Sequence, residues 1–448
     1  MDSKKTDNLL TTGSIHGKIM RFMIPILIGQ LFQQMYNTAD ALIVGNYLSA
    51  ESLAAVSSTS SLVFLIIGFC LGFASGAGVI IARHIGAKNH EQTQLAVHTA
   101  VTLGVYISLF TTAFGVFFAD DLLRAMNTPA NIIDQAALYL RIYFGGSTSV
   151  VMYNMLVGIV QASGDSRHPL YYLVASSLLN IVLDILFISR LHMGVEGAAS
   201  ATVISQSVSM ILVLRQLLKA QDATRLHFSK LRMDRENLAG ILRFGVPTAV
   251  QDCVIDFSNI LIQSYINSFG SDAVAGIGAS TRAEGFAFLL VTAFSIAATT
   301  FISQNIGAGE YERAKAGIRF TLVTSVILIE SVGVIMHVFA PQIISAFTSA
   351  PEVIAYGTGR MRVASLFYCL VGFSHISSAI MRGAGRPNVP MVVMLGCWCA
   401  VRVLILMTVG QQIHRIELVY WIYPFTWALS SIVYLFFLKN TKIGPQAA

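Results

Sequence analysis

The sequence predicts an all-α integral membrane protein of twelve transmembrane helices, arranged as two six-helix lobes. Three observations carry that prediction. The chain of 448 residues is 55% hydrophobic but only 12% charged, about half the charge of a soluble domain, and its mean hydropathy is +0.67. Its charges cluster, leaving apolar stretches near the ~20 residues that a helix needs to cross a bilayer. Its second half also repeats its first. The apolar runs are continuous rather than alternating, which argues against a β-barrel.

The spans are expected at about 18–44, 52–80, 95–119, 134–158, 169–189, 195–218, 239–266, 276–303, 317–340, 356–379, 389–410 and 416–437, to within a few residues. The polar opening MDSKKTDNLLTTGSIHG leads into a run too long for a signal-peptide core, without a small-residue cleavage site, so the first helix is expected to be retained. Cys70, Cys253, Cys369, Cys397 and Cys399 all fall within spans. Their odd number and apolar neighbours give neither a disulfide framework nor zinc spacing. If the termini and every second loop share one side, that side holds 21 of the 29 basic residues, among them Lys4, Lys5, Arg83, Arg243 and Lys442. The positive-inside bias then places both termini in the cytoplasm, as expected for a plasma (inner) membrane protein. The same distribution excludes nucleic acid as the reason for the net charge of +6.

The repeat is collinear. Arg21-Phe22-Met23-Ile24-Pro25 returns as Arg243-Phe244-Gly245-Val246-Pro247, and Asn37 falls on Asn259, both at a shift of 222. Ile85-Gly86-Ala87 returns as Ile306-Gly307-Ala308 at a shift of 221, where Gly164 and Pro169 also meet Gly385 and Pro390. Each half holds an even number of spans, so both enter the membrane in the same direction. A pseudo-two-fold axis along the membrane normal, with a cavity between the lobes, is the expected arrangement. The domains are then 1–218, a cytoplasmic linker 219–237, and 238–448.

Within this apolar chain the acids are informative. Asp40 ends a polar ladder of Gln30, Gln33 and Asn37 in the first span. Asp184 follows Asn180 by one turn in the fifth. A charge at mid-bilayer costs at least ~2.5 kcal/mol, so intramembrane acids usually face a bundle interior or an aqueous cavity. Two carboxylates brought together there cannot both ionise comfortably, which makes a site for a proton or a compensating cation. The bland reading is that each acid fastens one helix to another. At the repeat shift Asp40 meets Ile262 and Asp184 meets Ile405, so the acids belong to the first copy alone. The second has Asp252 and Asp256, one turn apart beside Gln251, which either attract a cationic compound or pair with Arg402. Pro25 is expected to break the first helix and to act as a hinge. Glu284 is expected to pair with Arg282 or with another helix, and Glu330 has no assigned role. No enzyme motif survives inspection: His90-Glu91 would open a metalloprotease helix, but Gln94 stands where the second ligand is needed. No phosphate-binding loop is present, and no cofactor is expected besides a coupling ion.

These residues also resemble a known family. The run from Arg21 to Gly45, with Gln33, Tyr36, Asn37 and Asp40, is similar to the opening helix of the multidrug and toxic compound extrusion (MATE) family. So are Gln161-Ala162-Ser163-Gly164-Asp165, Asn180 to Asp184, Gly194 to Thr202, and Ser280 to Phe286. The resemblance covers essentially the whole chain. It implies a secondary antiporter that exports drugs or toxic organic, often cationic, compounds in exchange for H⁺ or Na⁺. It also implies a first-lobe cation site at Asp40, Asn180, Asp184 and Thr202, the neutral oxygens of Asn180 and Thr202 assisting the acids. Some relatives carry a Glu in the seventh helix and an Asp in the tenth. Here the seventh has Asp252 and Asp256 and the tenth has no acid, which disfavours a second cation site. Gln33, Tyr36, Asn37, Asp252 and Asp256 are the expected cavity and substrate residues. The expected partners are small organic cations or drugs, H⁺ or Na⁺, and the bilayer, the protein being a monomer. The rival readings are a lipid-linked oligosaccharide flippase of related fold and a membrane enzyme acting on lipid.

Overall fold

The computed structural model describes residues 9–126, 128–441 and 443–444, so Lys4, Lys5 and Lys442 of the charge argument lie outside the described residues. Among the described residues there is no β-strand. The first half holds α1 (Ile15–Tyr47), α2 (Ala50–Gly86), α3 (His90–Phe117), the short α4 (Ala119–Ala125), α5 (Ile133–Gly145), α6 (Ser147–Ala162), α7 (Arg167–Asp184) and α8 (Val195–Lys219). The second holds α9 (Arg235–Asn267), α10 (Ser271–Gly307), α11 (Tyr311–Val338), the short α12 (Ala340–Ser345), α13 (Pro351–Ser365), α14 (Tyr368–Gly383), α15 (Asn388–Met394), α16 (Val401–Gln412) and α17 (Glu417–Asn440). Among the described residues ten segments are long and apolar enough to span a membrane, and the number reaches twelve when each of two bent pairs, α5 with α6 and α13 with α14, is taken as one span.

The bends are what the periodicity did not announce. Spans expected to be continuous at 134–158 and 356–379 turn by 46° and 57°. The first turns at Gly146, whose N–H donates back to the carbonyls of Ile142 and Tyr143 and closes α5. A Cβ at Gly146 would stand 2.3 Å from the Val203 side chain, so only glycine fits the turn. At the second, the Glu330 carboxylate accepts the N–H of Cys369 at 2.6 Å. That satisfies one of the donors a helix start leaves without a partner, and gives Glu330 a structural role.

The chain divides into two compact units. One comprises Ile28–Ala249, and the other comprises Leu10–Leu27 with the chain from Val250 onward. In the first unit α2 packs on α3, α5 and α6, and α8 packs on α5, α6 and α7. In the second α10 packs on α11, α13 and α14, and α17 packs on α13 and α14. The sequence repeat is therefore a repeat of packing. Each unit buries its own apolar core, around Ile81, Leu156 and Ile159 in the first and around Ile329, Met361 and Trp427 in the second. Large apolar side chains such as Phe64, Phe110, Met407 and Phe436 remain exposed, a surface suited to hydrocarbon rather than water.

Contrary to the expected break, α1 continues through Pro25 as a single helix. A proline removes one backbone donor, and neighbouring turns can hold the helix together around the gap. The passage of α1 from one unit to the other follows at Leu27–Ile28, two residues on, and α9 passes at Ala249–Val250, two residues after Pro247.

In the first unit α9 meets α2 backbone to backbone. A Cβ on Gly72 would lie 2.5 Å from the Ala249 nitrogen, and one on Gly76 would lie 2.6 Å from the Gly245 nitrogen. Small residues four apart on both helices allow this approach. At the repeat shift these glycines become Ala293 and Ala297, which in the second unit pack with Phe22, Met23 and Ile26 of α1. Gly72→Ala should lower stability by about 1–3 kcal/mol through overpacking, read as a lower melting temperature of the purified protein. An unchanged melting temperature would mean that the two backbones do not touch.

Candidate functional site

The fifth span delivers its acid at a change of helix type. α7 ends at Asp184 and passes into a π-helical stretch, Ile185–Arg190, and such stretches often mark functional positions. Asp184 and Asn180 are fully buried. Among the described residues, neither carboxylate oxygen of Asp184 and neither side-chain polar atom of Asn180 has a hydrogen-bond partner. Asp40, half-buried on α1, holds its Oδ1 in the same unpartnered state. The carboxyls of Asp40 and Asp184 face each other closely enough to couple electrostatically, and Tyr36 and Tyr139 lie within reach of both.

One turn from the acids lies a pocket with about 180 Å³ of empty space. It is lined by Tyr36 of α1, Ser176, Ser177 and Asn180 of α7, and Thr202, Ser205 and Gln206 of α8. Thr202 is 9% exposed. The Ser177 Oγ and Gln206 Oε1 atoms are also buried with no hydrogen-bond partner among the described residues. A buried polar atom left unpaired costs about 1–3 kcal/mol, so this concentration of them in one place needs a reason. Carboxylate, amide and hydroxyl oxygens are the donors a hard cation takes, and a carboxyl pair can equally share a proton. Among the described residues no three His, Cys, Asp or Glu side chains gather at one point. The lining is polar throughout, which suits an ion with water better than a drug, whose sites are mostly apolar.

The structure thus brings Asp40, Asn180, Asp184, Thr202 and Tyr36 to one place. Gln33 is half-buried and Asn37 exposed on α1, and neither lines the pocket. Asp252 and Asp256 belong to the second unit. There Arg382 is the cation acting on Asp252, while Gln251 beside it accepts from Arg382 Nη1 and Ser378 Oγ, both at 3.4 Å. The expected pairing with Arg402 is not formed. Arg402 donates from Nε to Thr426 Oγ1 at 3.1 Å and lies over the rings of Trp398 and Tyr423 at 4.9 and 4.7 Å. Glu284 pairs not with Arg282 but with Arg360, at 2.6 Å.

Ser177, Gln206 and Tyr139 were not singled out in the sequence. A signal existed for two of them: Ser177 stands three residues before Asn180 and Gln206 four after Thr202, each one helical turn from a candidate. Tyr139 gave none, since its place depends on how α5 packs against its neighbours.

A duplicated bundle of up to twelve spans, with a buried carboxylate and a half-buried one whose oxygens lack partners among the described residues of one unit, defines a multi-pass membrane transporter rather than an enzyme. The MatE family profile matches residues 25–186 and again 247–407, one copy in each half. The chain is 30% identical over 444 residues to the "Probable multidrug resistance protein YoeA" of Bacillus subtilis (strain 168), covering 96% of both. It is 25% identical over 415 residues to the "FAD transporter" of Shewanella oneidensis, covering 91% of both. Its fold superposes with a TM-score of 0.88 on the outward-facing conformation of a multidrug resistance MATE family transporter of the MOP superfamily. That match has 26% identity and covers 97% of this chain and 98% of the other. The chain belongs to the MatE family.

Proposed function

We propose that this transporter is a secondary antiporter that exports organic, amphiphilic and cationic compounds from the cytoplasm in exchange for H⁺ or Na⁺. The observation that carries the coupling is the pair Asp40, half-buried, and Asp184, fully buried, whose Oδ1 and two carboxylate oxygens respectively find no hydrogen-bond partner among the described residues. Such a pair is stable only when a proton or a cation lies between its members. Binding there is thereby linked to the state of α1 and α7, which supplies what exchange by alternating access requires. Asn180 and Thr202 assist in this reading, with Pro25 as the hinge at which α1, continuous here, would bend as the occupancy of the site changes. Likeness to the probable multidrug resistance protein of Bacillus subtilis supports drug export.

The charge distribution supports a plasma-membrane protein with both termini in the cytoplasm, working as a monomer with no cofactor beyond the coupling ion. The flippase reading needs basic side chains offered to a pyrophosphate. Arg360 and Arg402 are instead buried at 2% and 1% exposure and turned to aromatic rings, which disfavours it. The test is ethidium efflux from vesicles holding purified protein, under an imposed proton gradient and then a sodium gradient. One gradient should drive efflux well above that of empty vesicles. Efflux indifferent to both gradients would overturn the antiport reading.

A further inference from the structure

The linker between α8 and α9 is irregular apart from one 3-10 turn, Phe228–Lys230, and α3 holds it in place. His98, buried in α3, accepts the backbone N–H of His227 on Nε2 at 3.1 Å. Its other nitrogen, Nδ1, lies 2.6 Å from the Gln94 carbonyl oxygen. A carbonyl can only accept, so Nδ1 carries the proton and Nε2 keeps its lone pair. The His98 and His227 rings lie nearly parallel, 9° apart with centroids at 6.3 Å. Next along α3, Thr99 Oγ1 accepts the N–H of Asp234 at 3.0 Å.

We propose that His98 is an acid-sensitive latch: its neutral ring clasps the backbone of the 220–234 linker, and protonation at Nε2 releases it. A protonated ring presents a donor where the His227 N–H needs an acceptor. It also brings a positive charge towards His227, Arg225 and Lys230, the charged or titratable linker groups gathered there. On the α2 and α9 side the charged groups are Arg83, His84, Glu236 and Arg243.

The neighbouring contacts do not invert in this way. Asn237 accepts from His84 Nε2 at 3.0 Å, a contact in which the histidine donates and which protonation of His84 leaves intact. Asn237 in turn donates to Gln92 at 3.0 Å. Asp234 accepts from the Asn237 N–H and side chain, and these bonds hold its carboxyl below the usual carboxylate range, so the start of α9 stays capped in mild acid. Desolvation, then Arg225, Lys230 and His98, hold His227 below its ordinary value. The latch needs a neutral imidazole, so it is closed at high pH and lost as pH falls. In the orientation proposed above it would sense the cytoplasm.

Hydrogen exchange on the full-length protein in nanodiscs tests this, with rates corrected for intrinsic pH dependence. Between about pH 8 and about pH 5.5, the span over which histidines titrate, protection of peptides covering 222–234 should fall roughly tenfold. His98→Gln keeps an acceptor at the Nε2 position but cannot titrate there, and should stay protected at both values. His227→Ala retains the backbone donor and should respond as the native chain does. Unchanged protection of the native protein across this range would overturn the proposal, as would an undiminished acid response in His98→Gln. Should the native response vanish in His227→Ala, the sensor would be the other ring, and the proposal would again fail. If His98→Gln does not fold, the imidazole nitrogen resonances of His98 in the native protein decide instead: Nδ1–H with a bare Nε2 at high pH is required.

Discussion

Asp184→Asn should abolish gradient-driven efflux while leaving the protein at least as stable as before. Asparagine keeps the shape of aspartate but can neither ionise nor exchange a proton, so transport should fall by roughly 100-fold, to the leak of empty vesicles. The stability half of the expectation has the opposite sign from that of an ordinary core substitution. Neither oxygen of Asp184 meets a hydrogen-bond partner among the described residues, so with the ion site empty the native fold bears the desolvation of the group. Removing its charge should leave the melting temperature unchanged or raise it, as is common where function strains a fold. Asp40→Asn should act in the same direction on transport. The measurement pairs ethidium efflux under the working gradient with a thermal melt of the same preparation. Undiminished efflux in both variants would remove the coupling site from this pair. Loss of folded protein in Asp184→Asn would show instead that the carboxylate fastens helices.

The spans were legible in the sequence because bilayer thickness imposes a length, and the acids because hydrocarbon makes them costly. Those two facts pointed to Asp40 and Asp184 without any knowledge of packing, and helical spacing added Asn180 one turn before Asp184. What escaped depends on contacts between distant segments. The bend at Gly146 reflects the Val203 side chain pressed against it, and Val203 is remote in the sequence. The expected partner of Arg402 failed for a more local reason. A π-helical stretch, Leu395–Ala400, immediately precedes α16. It widens the turns, so residues beyond it are rotated from where α-helical spacing would put them. Arg402 consequently faces Trp398, Tyr423 and Thr426 rather than the acids of α9. Glu284 and Arg360 lie 76 residues apart, and only the packing of α10 on α13 brings them together.

That pair carries the largest stability effect we expect in the second unit. Arg360 donates from Nη2 to Glu284 Oε2 at 2.6 Å and from Nη1 to Ser280 Oγ at 2.9 Å, with its guanidinium 5.0 Å from the Tyr423 ring. Both partners are buried, Arg360 at 2% exposure and Glu284 at 6%. Removing one partner strands a charge that has no other strong ion pair among the described residues, and such a break costs about 3–5 kcal/mol. Glu284→Gln should therefore lower the melting temperature sharply, and more than Arg360→Met does. A carboxyl left alone can take up a proton, whereas a guanidinium cannot give one away. Replacing both at once, as Glu284→Gln with Arg360→Met, removes the two charges together and should recover most of the loss, because a buried ion pair and an apolar replacement of similar volume are often close in stability. The double-variant cycle distinguishes this from simple cavity formation: if the two losses merely add, the pair is not coupled and the ion-pair account is wrong.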